Sequence, residues 1–430
     1  MVFGLAMLFS TLRYIWMGWV DTQLVDPILH FSYFGFDWIE PLPRAGMYLV
    51  FGSMAVACVG IIFGWYYRIS TVVFFLCFSY VELIDITYYL NHYYFVSIVS
   101  FLMIWVPANR HFSVDVLLNP KLHQKTVSRW CIDIFKLQIA IVYVYAGLAK
   151  LNYDWLFRAL PLSIWLPAKT SVPIIGGIFK FKTTAYLFSW MGMLFDTFIV
   201  FGLLIKQTRW LSFAAVVVFH TLTGILFQIG VFPIVMILGV TIFFSAEAHE
   251  RFLEFLKEVL QSPTINPESS SQNNIQPTHR LVFPFLIIFF LFQLVFPWRY
   301  LLYPGNLFWT EEGYRFSWRV MLMEKAGTAT FYVKDGENGR EGSVINHQFL
   351  NAHQEKQMAM QPDLILQYAN YLKEHYAEEG MKDPKVRAEV WVTLNARPAK
   401  LLIDPKVDLT TKTDTWASKD WILPFSETKE

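Results

Sequence analysis

A few polar residues stand where an otherwise apolar sequence least tolerates them: Asn91 and His92 at the junction of two apolar runs, Lys150 at the end of another, and His220 inside a later one. An ionisable group within a membrane segment is costly to bury, so each is a candidate for function. A lysine walled by aromatic and aliphatic side chains loses hydration of its ammonium. That loss lowers its pKa and frees the neutral amine to act as a base. His92 and Asn91 could hydrogen-bond a developing oxyanion, and His220 could reach the same cavity from within the membrane. Each also has a purely structural reading. Lys150 could snorkel at a helix end, and the histidines could tie one span to the next. Glu82 and Asp85, three apart, would share a helix face and suit a proton relay, a partner such as Arg13, or interhelical anchors. Asp196 and Gln138 are weighed in the same way.

These residues need a membrane body to position them, and the composition supplies one. The chain is 55% hydrophobic and 16% charged, against about a quarter charged in soluble domains. Runs near the bilayer-spanning length lie at Met1–Val20, Gly46–Tyr66, Thr71–Leu90, His92–Pro107, Trp130–Ala149, Tyr186–Ile205, Leu211–Gln228, Val231–Ser245 and Leu281–Tyr303. The expectation is thus a polytopic α-helical membrane protein of about nine transmembrane helices. Arg68, then Arg110, Lys121, Lys125 and Arg129, then Lys206 and Arg209 fall on one side, which makes that side cytoplasmic and the N-terminus with it. The loop Lys150–Ala185, with five basic residues, dissents, and Leu166–Gly177 within it reads as re-entrant or interfacial. On this topology Asn91, His92 and Lys150 share one depth at the outer face.

The polar stretch Gln261–His279 reads as a cytoplasmic linker within a transmembrane domain of residues 1–303. From Pro304 the text turns charged and turn-rich. A strand at Phe331–Val333, a turn at Asp335–Gly339, an amphipathic helix over Pro362–Tyr376 and alternation over Glu389–Asn395 predict a small C-terminal α+β soluble domain, 304–430, on the outer face. The net charge of +1 gives no reason to expect nucleic acid. Cys58, Cys77 and Cys131 lie in or beside apolar runs without a CxxC pair, and no HExxH, GxSxG, P-loop or GxGxxG occurs. No metal site is expected.

Several segments in order, GWYYRIS (Gly64–Ser70), YLNHYYF (Tyr89–Phe95), HFSVDVLLNP (His111–Pro120), IVYVYAGLAKLNYDW (Ile141–Trp155) and EEGYRFSWRVML (Glu311–Leu322), resemble the vitamin K-dependent gamma-glutamyl carboxylase family and its bacterial homologues built on the HTTM membrane domain. Ala388–Leu409 is similar to the segment that follows the membrane domain in that family. The resemblance implies a membrane enzyme, a carbon–carbon lyase, that oxidises reduced vitamin K (a hydroquinone) to its epoxide with O2 and adds CO2 to protein glutamate. It implies Lys150 as the catalytic base, Asn91 and His92 as its Asn–His pair, His220 as a later site histidine, and Lys150 and His92 as the residues meeting the quinol. The partners it implies are membrane lipid, the quinol and a Glu-containing protein or peptide, in a bacterial inner membrane with the soluble domain extracytoplasmic. The animal enzymes continue well beyond the point matched by Trp421–Pro424 and carry a disulfide that this chain's outer domain lacks cysteines to form, so a docked, processive substrate is in question. The alternatives are a lipid or solute transporter or membrane sensor, and a quinone-linked epoxidase without carboxylation.

Overall fold

The computed structural model describes residues 1–227, 229–260 and 279–426. The membrane body opens with α1 (Val2–Trp16) and a hairpin of α2 (Arg44–Phe63) and α3 (Tyr67–Ile84). The hairpin turns at Gly64, whose φ of 61° is left-handed and where a Cβ would stand 2.5 Å from Cβ of Ser113. Asp115 closes the turn: its carboxylate accepts from the backbone N–H groups of Tyr66 and Tyr67 at 2.8 and 3.1 Å, satisfying donors at the start of α3. Then come α4 (Asn91–Trp105), a short α5 (Val114–Leu118), α6 (Trp130–Ala149), two short helices α7 (Tyr153–Arg158) and α8 (Leu162–Trp165), α9 (Lys182–Leu204), α10 (Arg209–Leu226), α11 (Phe232–Gly239), α12 (Ala246–Leu260) and α13 (His279–Val295).

Among the described residues six segments are long and apolar enough to cross a membrane: α2, α3, α6, α9, α10 and Val282–Leu302. A seventh is reached if Phe232–Phe243 and Ala246–Phe255, bent by 118° to one another, are taken together. The expected count of nine therefore falls to six or seven. Helices α1 and α4 have 15 residues each, roughly 22 Å at the α-helical rise against about 30 Å of hydrocarbon. The expected linker Gln261–His279 lies outside the described residues, except for His279, which opens α13.

The connections that carry Arg68 and Arg110 meet at one end of the body, where Arg68 donates to the Ile104 carbonyl at 2.7 Å. The dissenting Lys150–Ala185 loop lies at the other end and is folded against the body, with the Trp155 indole donating to the Ser189 carbonyl at 2.8 Å. Leu166, Val172, Ile175 and Phe179 of that loop pack with Ala185 and Met193 of α9.

After α14 (Leu307–Thr310) the chain builds an antiparallel sheet of order β2-β1-β3-β4 from β1 (Lys325–Lys334), β2 (Glu341–Ser343), β3 (Lys385–Leu394) and β4 (Lys400–Leu401). The long pair β1–β3 runs in register from Lys325↔Leu394 to Lys334↔Lys385. Alternate residues of β3, from Val386 through Leu394, are buried, as a strand with one covered face requires. The covering elements are α15 (Ala352–Met358) and α16 (Pro362–Glu378), which bury Leu364, Ile365, Tyr368 and Leu372 against Phe331 and Val390. The expected strand, turn and helix are all present.

This domain is docked on the membrane body by directed polar contacts. Asp154 of α7 accepts two bonds from the Arg397 guanidinium, at 2.6 and 2.8 Å, and one from the Asn395 amide at 2.8 Å. Burial works to raise the Asp154 carboxyl, but these partners outweigh it and hold it below the usual carboxylate range. Gln354 of α15 donates to the Leu29 carbonyl and to the Asp85 carboxylate, both at 2.7 Å. His353 stacks on Tyr88 with ring centroids 4.5 Å apart and meets the Thr87 carbonyl at 2.9 Å.

Candidate functional site: two cavities with a shared wall

Lys150 ends α6 and is 6% exposed. Its ammonium nitrogen lies 2.7 Å from Oδ2 of Asp196 on α9 and 3.1 Å from the Ala146 carbonyl, with the Trp155 ring centroid at 5.3 Å. The local cause is a close approach of two helices. One turn before Lys150, Gly147 lies against α9 so tightly that a Cβ would stand 2.6 Å from the backbone nitrogen of Thr197, the residue after Asp196. Small residues permit such contact within membranes. The residue weighed only as another buried polar group, Asp196, is thus the counter-ion of the lysine.

The pair faces a cavity of about 110 Å³ with aromatic walls from Trp155, Phe188, Phe219 and Phe227. His220 lines the same cavity, as its position near the middle of α10 predicts. Its Nε2 meets the Tyr143 hydroxyl at 2.7 Å, while its Nδ1 is buried and has no hydrogen-bond partner among the described residues. Tyr143 escaped the sequence reading, although it lies seven residues before Lys150 and therefore on the same face of α6.

Asn91 and His92 open α4 and line a second, larger cavity of about 810 Å³. The Asn91 amide donates to the Arg319 carbonyl at 2.9 Å and its oxygen accepts from the Tyr89 hydroxyl at 3.1 Å. This vestibule is polar: Arg13, Arg319 and the buried pair Lys325–Glu311, 2.8 Å apart, also line it. Burial drives the Lys325 ammonium below its ordinary value, with Glu311 opposing. Among the described residues, Nε of Arg13 and Nε of Arg319 are buried without hydrogen-bond partners. The expected common depth of Asn91, His92 and Lys150 is therefore resolved into two adjoining chambers. Ile229, Phe232, Val320 and Met321 line both.

The segment Glu311–Met321 builds part of that wall and carries unusual backbone strain. Glu311, Phe316, Trp318 and Met321 all have φ between 53° and 58°, a region that non-glycine residues seldom occupy. Contacts on both sides hold them there. The Phe316 N–H donates to the Tyr89 hydroxyl at 2.8 Å, and Trp318, 1% exposed, stacks on Tyr94 at 4.9 Å. Arg315 pairs with Asp363 of α16.

Glu82 and Asp85 line one small cavity of about 190 Å³, with Tyr14, Trp19 and Tyr93, but not from one helix face. Helix α3 ends at Ile84, so Asp85 leaves the helical face that the three-residue spacing assumed. Its carboxylate instead accepts from the Thr87 N–H, the Thr87 hydroxyl and Gln354. The suggested partner Arg13 stacks over Trp19 at 5.0 Å, and among the described residues no ion pair joins it to Glu82 or Asp85. Gln138 is fully buried, and both its side-chain polar atoms lack hydrogen-bond partners among the described residues.

Two family models divide the chain between them. Residues 1–247 match the HTTM domain, and residues 278–428 match the lumenal domain of vitamin K-dependent gamma-carboxylase. The chain belongs to the vitamin K-dependent gamma-carboxylase family. No solved structure matches it. As a member of this family it is an integral membrane protein whose soluble domain corresponds to a lumenal one. The boundary between the two matches falls across the undescribed stretch before α13, so the second match includes the last long apolar helix. No group of three or more His, Cys, Asp or Glu side chains suited to a metal ion occurs among the described residues.

Proposed function

We propose that this chain is a hydroquinone-dependent γ-glutamyl carboxylase, in which reduced vitamin K is oxidised by O2 to the epoxide while CO2 is added to a protein glutamate. The observation that carries the reading is the buried Lys150–Asp196 pair beside His220, inside aromatic walls and one side chain away from a polar vestibule capped by the soluble domain. The residues suit a flat aromatic diol. Phenylalanine and tryptophan rings offer surfaces for its ring, and the orphaned His220 Nδ1 would gain a partner from one hydroxyl. Bound there, the hydroquinone would supply, on oxidation to epoxide and water, the strong base that a glutamate γ-C–H demands.

The chain's own residues have separable tasks. Lys150 and Asp196 share one proton across their contact; with that proton on Asp196, the neutral amine of Lys150 can take the proton of an acidic hydroxyl. The aromatic walls exclude water, which protects a carbanion until it meets CO2. In the vestibule, the Nε–H groups of Arg13 and Arg319 would be offered to the acceptor carboxylate, and Asn91 and His92 would position it at the wall. The acceptor arrives from the aqueous side past the soluble domain, which in a bacterial inner membrane is the extracytoplasmic side, leaving the N-terminus cytoplasmic. Purified protein in detergent should convert vitamin K hydroquinone to epoxide under O2 and fix labelled CO2 into a glutamate-containing peptide. Folded wild-type protein that consumes no quinol would overturn this reading.

A further inference from the structure

We infer that the Phe232 ring is the partition that couples the two chambers, keeping water out of the Lys150 cavity until a glutamate side chain displaces it. The inference about coupling rests on the carboxylase reading; the partition itself rests on geometry alone. Phe232 is the first residue of α11, followed by Pro233, which fixes the helix start. Its ring centroid lies 5.7 Å from that of His92 in the vestibule and 5.7 Å from that of His220 in the inner cavity. One aromatic ring therefore spans the distance between the two site histidines. The other shared wall residues, Ile229, Val320 and Met321, offer only aliphatic and thioether groups, so among the described residues no polar side chain is common to the two linings. Polarity changes abruptly across it, from aromatic walls on one side to arginines and a Lys–Glu pair on the other.

That arrangement answers a chemical difficulty. Oxidation of the hydroquinone by O2 to epoxide and water is complete without any glutamate if the base formed on the way takes its proton from water. In the coupled reaction the same proton comes from the γ-carbon, the C–H electron pair passes to the carbon of CO2, and a new C–C bond forms. Water that reached the inner chamber first would discharge the base. An apolar ring on the first turn of a short helix blocks water yet can rotate about its side-chain bonds to admit a carbon chain.

The test reads accessibility and coupling separately. In a background with Cys58→Ala, Cys77→Ala and Cys131→Ala, Thr223→Cys places a thiol in the inner cavity. Labelling it with a charged methanethiosulfonate reagent should be at least about tenfold faster with Phe232→Ala than with Phe232 or Phe232→Leu. With Thr223 intact, Phe232→Ala should lower carboxyglutamate formed per epoxide by about tenfold while epoxide formation stays within about threefold, and Phe232→Leu should restore the ratio. If Phe232→Ala fails to fold, Val320→Ala thins the same wall and should move both readings in the same direction. Unchanged labelling in the thinned-wall variants overturns the partition. Faster labelling with an unchanged product ratio overturns its role in coupling. Faster labelling in a protein that makes neither product leaves the partition standing and removes the carboxylase reading instead.

Discussion

Two buried lysine–carboxylate pairs face the two chambers, and they are nearly the same object locally. Lys150–Asp196 is 2.7 Å long and Lys325–Glu311 is 2.8 Å, and each lysine also donates to one backbone carbonyl, Ala146 or Trp309. Their surroundings differ. Lys150 looks into a small aromatic cavity where an added or removed proton meets little solvent. Lys325 looks into a vestibule several times larger, lined also by Arg13, Arg315 and Arg319 and with an open polar lining. Pair geometry therefore does not assign a role; the neighbouring side chains do, because they set how much a change of charge costs.

Disrupting the inner pair should give the largest effect. Lys150→Ala should lower quinol oxidation by on the order of 10³-fold, measured as epoxide formed under O2. Lys150→Arg should not restore it, because a guanidinium stays protonated. If instead Lys325→Met proves as damaging to epoxide formation as Lys150→Ala, the distinction between the chambers is lost; the expected result is a raised KM for the acceptor peptide with epoxidation within about threefold. Gly147→Val tests how the inner pair is built. The added side chain must push α6 from α9, costing about 1–3 kcal/mol by overpacking, read as a lowered melting temperature in detergent together with reduced epoxide formation.

The weakest effects belong to the docking contacts. Arg397→Ala leaves Asp154 with the longer 3.7 Å pair to Arg158 as its charge contact and should increase proteolytic release or hydrogen exchange in the soluble domain without abolishing epoxide formation. The sign of the pH dependence follows from the depressed Asp154 carboxyl. Its contribution is present above its ordinary value of 3.8 and is lost as the pH falls through its lower folded value. Asp363 is lowered too, Arg315 outweighing the opposing effect of burial. Melting of the domain should therefore not change through these groups between neutral pH and 5, and should drop below about 4.

What the sequence made legible was whatever depends on local pattern. Period-two burial over Glu389–Asn395 and the helix over Pro362–Tyr376 are present in three dimensions, and Asn91, His92, Lys150 and His220 each line a cavity. What it concealed depends on lateral contact. Nothing in the spacing of Lys150 and Asp196 reveals that Gly147 brings their helices together. Asp85 looked like a relay residue because its helix was expected to run on to Leu90, and the early end at Ile84 turned it toward Gln354 instead. The division into two chambers hinges on Phe232, one of forty phenylalanines in the chain, and no periodicity distinguishes it from the rest.

The docking of α15 on the turn that precedes Asn91 sets a condition on recombination. Gln354 holds Asp85, His353 holds Thr87 and Tyr88, and the Arg319 carbonyl holds Asn91, so the first turn of α4 is built jointly by both halves of the polypeptide. A chimaera that joins this membrane body to the soluble domain of a relative would inherit a mismatched α4 entrance unless residues 85–92 and 311–322 are transplanted together. The seam of the molecule, as an engineering matter, runs through its reaction chamber.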